Sequence, residues 1–264
     1  MYKTCPKCGH TRTAADKAPE GTCPACGIIF EKWLKSRFRT QHSERPRESS
    51  TVSLPVANWW SEFRELAMQV TTPVNPVVFY ASCAGYLIFF VWGWYFIFTD
   101  YAYYQAGTRI DDPIPEIGQS FMHNINLVFH EAGHVLFRPF GYFMTILGGS
   151  LFQILMPLIV TGAFLFKEHN PFSASIGLCW TAQSMMDIAP YINDARNGQI
   201  MLLGGATGAE TTGYHDWETL LTLMNIMEKD HAIADTVDGI GVLLMLLSFA
   251  WGGTLLYRQY RAMR

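Results

Sequence analysis

The apolar positions of this chain gather into long runs, while its polar positions crowd the first sixty residues and two connecting stretches. Residues 77–98 carry no charge and end among Trp92, Trp94 and Tyr95, so they are long enough to cross a bilayer and place aromatic rings where the interface would lie. Residues 121–137, 143–166, 172–192 and 240–257 make further apolar spans, the first two separated by the turn Arg138-Pro139-Phe140-Gly141. Ahead of them, Trp59, Trp60, Phe63, Leu66 and Ala67 recur at helical spacing, which predicts an amphipathic helix at the membrane interface, with a soluble partner helix as the competing reading. A second amphipathic helix is expected over residues 216–227, within a mostly polar and acidic stretch, 193–238.

The expected fold is therefore an all-α polytopic membrane protein with about five membrane segments, preceded by a small N-terminal zinc ribbon. The ribbon is placed at residues 1–33 and a basic flexible linker at 34–57. An interfacial helix follows at 58–72, then a membrane domain at 73–264 whose chemical core is 121–196.

Composition supports this reading. Half of the 264 residues are apolar and 16% are charged, against roughly 25% in soluble domains. The mean hydropathy is only +0.11 because the polar front dilutes the apolar remainder. Charge divides in the same way: residues 1–50 hold ten Lys or Arg against five acids, so a net charge of −3 leaves the rest near −8. No basic helix or aromatic-basic interleaving accompanies the basic front, so nucleic acid is not an expected partner. A cytoplasmic linker facing the lipid bilayer explains it more simply.

No signal peptide is expected, and residues 99–120 hold four acids and one base, as non-cytoplasmic loops usually do. The expected location is the cell's inner or plasma membrane, with the ribbon cytoplasmic. One tension stands: five crossings would put the C-terminus opposite the ribbon, whereas Arg258, Arg261 and Arg264 favour the cytoplasm. A re-entrant span, or a further pass within 199–227, would relieve it.

Four of the six cysteines form two knuckles, Cys5-x2-Cys8 and Cys23-x2-Cys26, whose thiolates suit one structural zinc. Disulfides are the competing reading. His10 reads as a loop residue, and Cys83 and Cys179 as small apolar-segment residues.

The chemistry concentrates in His130-Glu131-Ala132-Gly133-His134. Histidines four apart share a helix face and can share one metal ion, with Glu131 placed to move a proton. Ionisable groups in a membrane helix cost about 2.5 kcal/mol or more each, so they seldom persist there without a task. His123, Asn126, His130 and His134 form one polar stripe about 16 Å long, which predicts a water-accessible groove inside a helix bundle. For His123 and Asn126, a simple interfacial position is the alternative. A catalytic zinc generally takes three protein ligands, and Asp187, Asp194, His215 and Asp216 are all candidates for the third; spacing does not choose among them. Gln153 in the next span is placed to bond a substrate strand or a neighbouring helix.

HEAGH, then Gly149-Ser150-Leu151-Phe152-Gln153, then Asp187-Ile188-Ala189-Pro190 and Asn193-Asp194-Ala195, together resemble the site-2 protease family of intramembrane zinc metalloproteases. The resemblance covers residues 121–196 and implies zinc held by His130, His134 and Asp194, with Glu131 as base; of the candidates read from the residues, Asp187 and His215 stand as reserve ligands. It departs from the family at Gln153, where Asn is usual, at Asp187 in place of the Asn before proline, and at Asp194, one residue nearer the proline than usual.

The expected function is hydrolysis of peptide bonds in membrane-protein or peptide substrates, with one catalytic and one structural zinc and a ribbon that binds a regulatory protein or substrate. The alternatives are a non-catalytic membrane sensor or scaffold with structural zinc sites, and a zinc enzyme acting on a lipid or small amide.

Overall fold

The computed structural model describes residues 3–33, 59–105, 120–211 and 213–264. The expected linker at 34–57 and residues 106–119 of the acidic loop lie outside them. The chain divides into two units, Met1–Pro55 and Val56–Arg264.

In the first unit each Cys-x2-Cys pair forms a knuckle closed in the same way. The Gly9 N–H donates to the Cys5 carbonyl and the Gly27 N–H to that of Cys23, both at 2.9 Å. Single antiparallel bridges, Thr4 to Thr11 and Thr22 to Ile29, flank the knuckles, and no longer strand is present among the described residues. The two knuckles face each other, with Cys5 Sγ 3.7 Å from Cys26 Sγ and Cys8 Sγ 3.6 Å from Cys23 Sγ. These separations exceed a disulfide bond, near 2.05 Å, and all four thiols are free. His10 bonds Asp16 at 3.2 Å, outside the sulfur cluster.

The second unit is helical: α1 (Trp59–Met68), α2 (Pro76–Gln105), α3 (Phe121–Phe137), α4 (Tyr142–Gly162), α5 (Pro171–Asn193), α6 (Asp216–Met224) and α7 (Asp230–Met263). Among the described residues, three segments are long and apolar enough to cross a membrane: Pro76–Phe98, Tyr142–Lys167 and Met227–Met263. The two other expected spans fall short for different reasons. Helix α3 has 17 residues, about 25 Å of rise against a hydrocarbon core of about 30 Å. Helix α5 has 23 residues, but it buries Thr181, Gln183, Ser184 and Asp187, and this polar content lowers its hydropathy.

Helix α5 is the central element. Phe96 of α2, Cys179 and Met186 of α5, and Met245 and Phe249 of α7 form one apolar cluster. Ile188 and Ile192 pack on Ala234 in a second. Small residues permit these approaches, as is usual where no hydrophobic force separates helix contacts from lipid contacts. The antiparallel pair α2 and α7 brings Phe79 to Tyr260, with ring centroids 6.4 Å apart. The start of α2 and the end of α7 therefore lie at one end of the bundle. Helix α1 joins this end through the Trp251 indole, which donates to the Ala67 carbonyl at 2.8 Å. Its Trp59 and Trp60 are exposed, as an interfacial helix requires.

Candidate metal centre

Helices α3 and α4 cross at Gly133 and Gly148. A β-carbon on Gly133 would stand 2.1 Å from the Gly148 carbonyl oxygen, and one on Gly148 would stand 2.7 Å from that of Gly133, so only glycine fits this crossing. The close approach lays the His130–His134 face of α3 directly on α4.

The outer nitrogens of both imidazoles are tethered. His134 Nδ1 meets the Thr145 carbonyl at 2.8 Å, so that nitrogen carries the proton. His130 Nδ1 meets Gln153 Oε1 at 3.0 Å. The Gln153 amide nitrogen donates to Asp187 Oδ2 at 2.9 Å, which fixes the amide orientation and makes its oxygen the acceptor for His130. In their neutral forms both rings therefore present an Nε2 lone pair to the same space. The Asp216 carboxylate enters that space from α6, with Oδ2 2.8 Å from His130 Nε2 and 3.3 Å from His134 Nε2. Burial by itself raises the Asp216 carboxyl, but its hydrogen bonds with the two histidines outweigh this and hold it below the usual carboxylate range. Two lone pairs and a carboxylate converge, and protons or a cation must reconcile them.

The four candidates for a third ligand are sorted by their partners. Asp216 joins the histidines. Asp194, the residue implied by the family resemblance, is fully buried and accepts the backbone N–H groups of Gln199 and Ile200 at 2.9 and 2.8 Å. It thereby fixes the loop that leaves α5. His215 faces Asp194 across 3.7 Å, while its Nδ1 accepts the Glu218 N–H at 3.2 Å. The side-chain cap of α6 is thus supplied by His215, which leaves the Asp216 carboxylate free for the histidines. Asp187 is held by His123, Asn126 and Gln153 at 2.9, 3.1 and 2.9 Å.

These bonds make one buried chain of polar groups from His130 through Gln153 and Asp187 to the partly exposed His123. Asn126 also donates to Gln183 and accepts from the Trp180 indole, both at 2.9 Å. The polar stripe of α3 therefore faces the bundle interior, as expected. Glu131 is exposed beside His130.

Two groups had no counterpart in the sequence reading. The Tyr191 hydroxyl accepts the Asp216 N–H at 2.9 Å, and its ring packs, tilted, against His215 with centroids 4.2 Å apart. The Trp217 indole donates to Ser150 Oγ at 3.1 Å. Both bonds dock the start of α6 onto the bundle. The only sequence signal for them was the density of polar and aromatic residues in Tyr214-His215-Asp216-Trp217, directly after a glycine-rich stretch.

Within the described residues, then, two groups have metal-binding geometry: Cys5, Cys8, Cys23 and Cys26, and His130, His134 and Asp216. In each, the ligand atoms lie within 4.8 Å of one another. Compared with known proteins, the chain matches no family model, no curated protein and no solved structure, so the likeness to site-2 proteases rests on the residues quoted above alone.

Proposed function

We propose that this chain is a membrane-embedded zinc metallopeptidase whose metal is held by His130, His134 and Asp216, with a second, structural zinc on the four cysteines. The observation that carries the reading is the convergence of two tethered imidazoles and one buried carboxylate beside an exposed glutamate. Two nitrogens and one oxygen suit zinc, and three protein ligands leave a fourth position open. The fit is close on the α4 side, where Gly149 leaves room for the two Nε2 atoms that a β-carbon would meet at 2.6 Å.

When bound, zinc would supply Lewis acidity towards a scissile carbonyl and acidify a water. Glu131, one residue beyond His130, takes the proton from the attacking water and returns it to the leaving amine. Gln153 and Thr145 hold the imidazole tautomers, and Asp187 fixes Gln153. A helical substrate must unwind locally before attack, because its carbonyls are otherwise hydrogen-bonded.

The test uses the purified full chain in detergent with a transmembrane peptide and, separately, lipid amides. Hydrolysis of the peptide that disappears in Glu131→Gln, with metal content unchanged, supports the reading. Full metal occupancy with no hydrolysis by the unmodified protein favours the sensor or scaffold. Cleavage of the lipid amides alone favours the small-amide enzyme.

A further inference from the structure

The helix directions give the bundle two chemically different ends. The start of α2, the end of α4, the start of α5 and the end of α7 meet at one of them: Phe79 packs on Tyr260, and the Gln69 amide donates to the His169 carbonyl at 2.8 Å. Arg64, Lys167, Arg258, Arg261 and Arg264 belong to this end and outnumber its acids, Glu62, Glu65 and Glu168. The other end gathers the close of α5, the start of α7 and all of α6. Ile192 packs near Ala234 there, and Arg196 donates to Asp230 at 2.8 Å. Its acids, Asp216, Glu218, Glu228, Asp230, Asp235 and Asp238, outnumber its bases, Arg138, Arg196 and Lys229, and Arg196 is paired.

The candidate metal centre lies in the acidic half. Gly149, against both imidazoles, is about 10 Å of helix from the start of α4, and Tyr191 and Asp216 lie near the close of α5. Positive charge marks the cytoplasmic side of membrane proteins.

We infer that the metal centre opens to the non-cytoplasmic side of the membrane, opposite the start of α2 and the end of α7. Resting on the peptidase reading, the substrates are polypeptides whose scissile segment is presented in the outer half of the bilayer or just beyond it, such as exported or membrane-anchored chains. A cytoplasmic segment would have to cross most of the bundle to reach the site.

Lys229 and Arg261 are both exposed and bracket α7. Lys229→Cys and Arg261→Cys, made singly in the full chain, are treated in intact cells with a membrane-impermeant maleimide, and the labelled peptide is identified by mass spectrometry. The expected result is labelling of Lys229→Cys in intact cells and of Arg261→Cys only after lysis. Labelling of Arg261→Cys in intact cells, or of Lys229→Cys only after lysis, overturns the inference. In a second arm, one transmembrane reporter carries the same test segment on either side of the membrane. Cleavage only on the outer side supports the inference, and cleavage only on the cytoplasmic side overturns it. If neither reporter is cut, the peptidase reading fails while the labelling still decides the orientation.

Discussion

Gly149 stands so close to His134 that a β-carbon on it would lie 2.6 Å from the imidazole Nε2 and equally near that of His130. Helix α4 thus forms a wall of the candidate metal centre without contributing a side chain at that level. The nitrogens that would bind metal press on the one residue that has none to offer.

Gly149→Ala should therefore abolish metal binding by His130, His134 and Asp216. Alanine favours a helix by about 1 kcal/mol over glycine, so α4 itself should form at least as well. The loss would come from displaced imidazoles. Metal analysis of the variant should find the ribbon metal alone. Unchanged total metal, with the His130→Ala variant losing it, would show that the rings can shift at little cost.

Asp216 and Asp194 differ in what their loss should do. Asp216→Asn removes the one carboxylate that, among the described residues, stands between the two imidazoles and should cost more than the 10–100-fold in metal affinity expected for an outer partner. Asp194→Asn weakens acceptance of the Gln199 and Ile200 N–H groups, so it should lower stability by about 1–3 kcal/mol and leave the metal bound. Metal titration and denaturant unfolding of both variants in detergent check the pair. The opposite pattern would restore Asp194 as the ligand.

Gln153 and Asp187 act on the centre through His130. Gln153→Leu leaves the His130 Nδ1–H without its acceptor, and Asp187→Asn removes the charge that orients Gln153. Each change should weaken metal affinity by roughly 10–100-fold. A competitive chelator titration reads this directly. Equal affinity in both variants would make the polar chain a packing feature.

Most of this architecture could be read along the sequence because helical periodicity is local. Phe121–Phe137 and the inward-facing stripe of His123, Asn126, His130 and His134 follow from spacing alone. The third member of the candidate metal group does not, because Asp216 lies 86 positions from His130 and reaches it only after α6 docks. Docking depends on Tyr191 and Trp217, whose roles have no periodic signature. The family resemblance favoured Asp194, an acid at nearly the expected distance beyond a proline, but two backbone amides of its own loop claim that carboxylate. Helix α5 misses the hydropathy of a membrane span for a related reason. A helix sheltered by neighbours can carry Gln183, Ser184 and Asp187, and its hydropathy no longer tells how it is placed.

The cysteine cluster should release its metal in acid. Burial works against ionisation of Cys5, but the backbone N–H groups of Cys8 and Lys7 outweigh it and bring the thiol down to about 6; Cys23 is lowered in the same way by Cys26 and Ala25. A thiol whose folded-state value is depressed contributes binding and stability above its ordinary range and loses both as pH falls through the folded value. Thiolates are thus available at neutral pH on Cys5 and Cys23, whereas at Cys8 the His10 backbone N–H is outweighed by Cys26, burial and the other thiols, which push it up to about 12; protons compete with the metal at and below about 6. In full-length protein carrying His130→Ala, so that only the cysteine site counts, metal should be retained at neutral pH and lost on acidification through that range. Retention down to about pH 4 would mean that the metal suppresses thiol protonation far more strongly than the knuckle amides do.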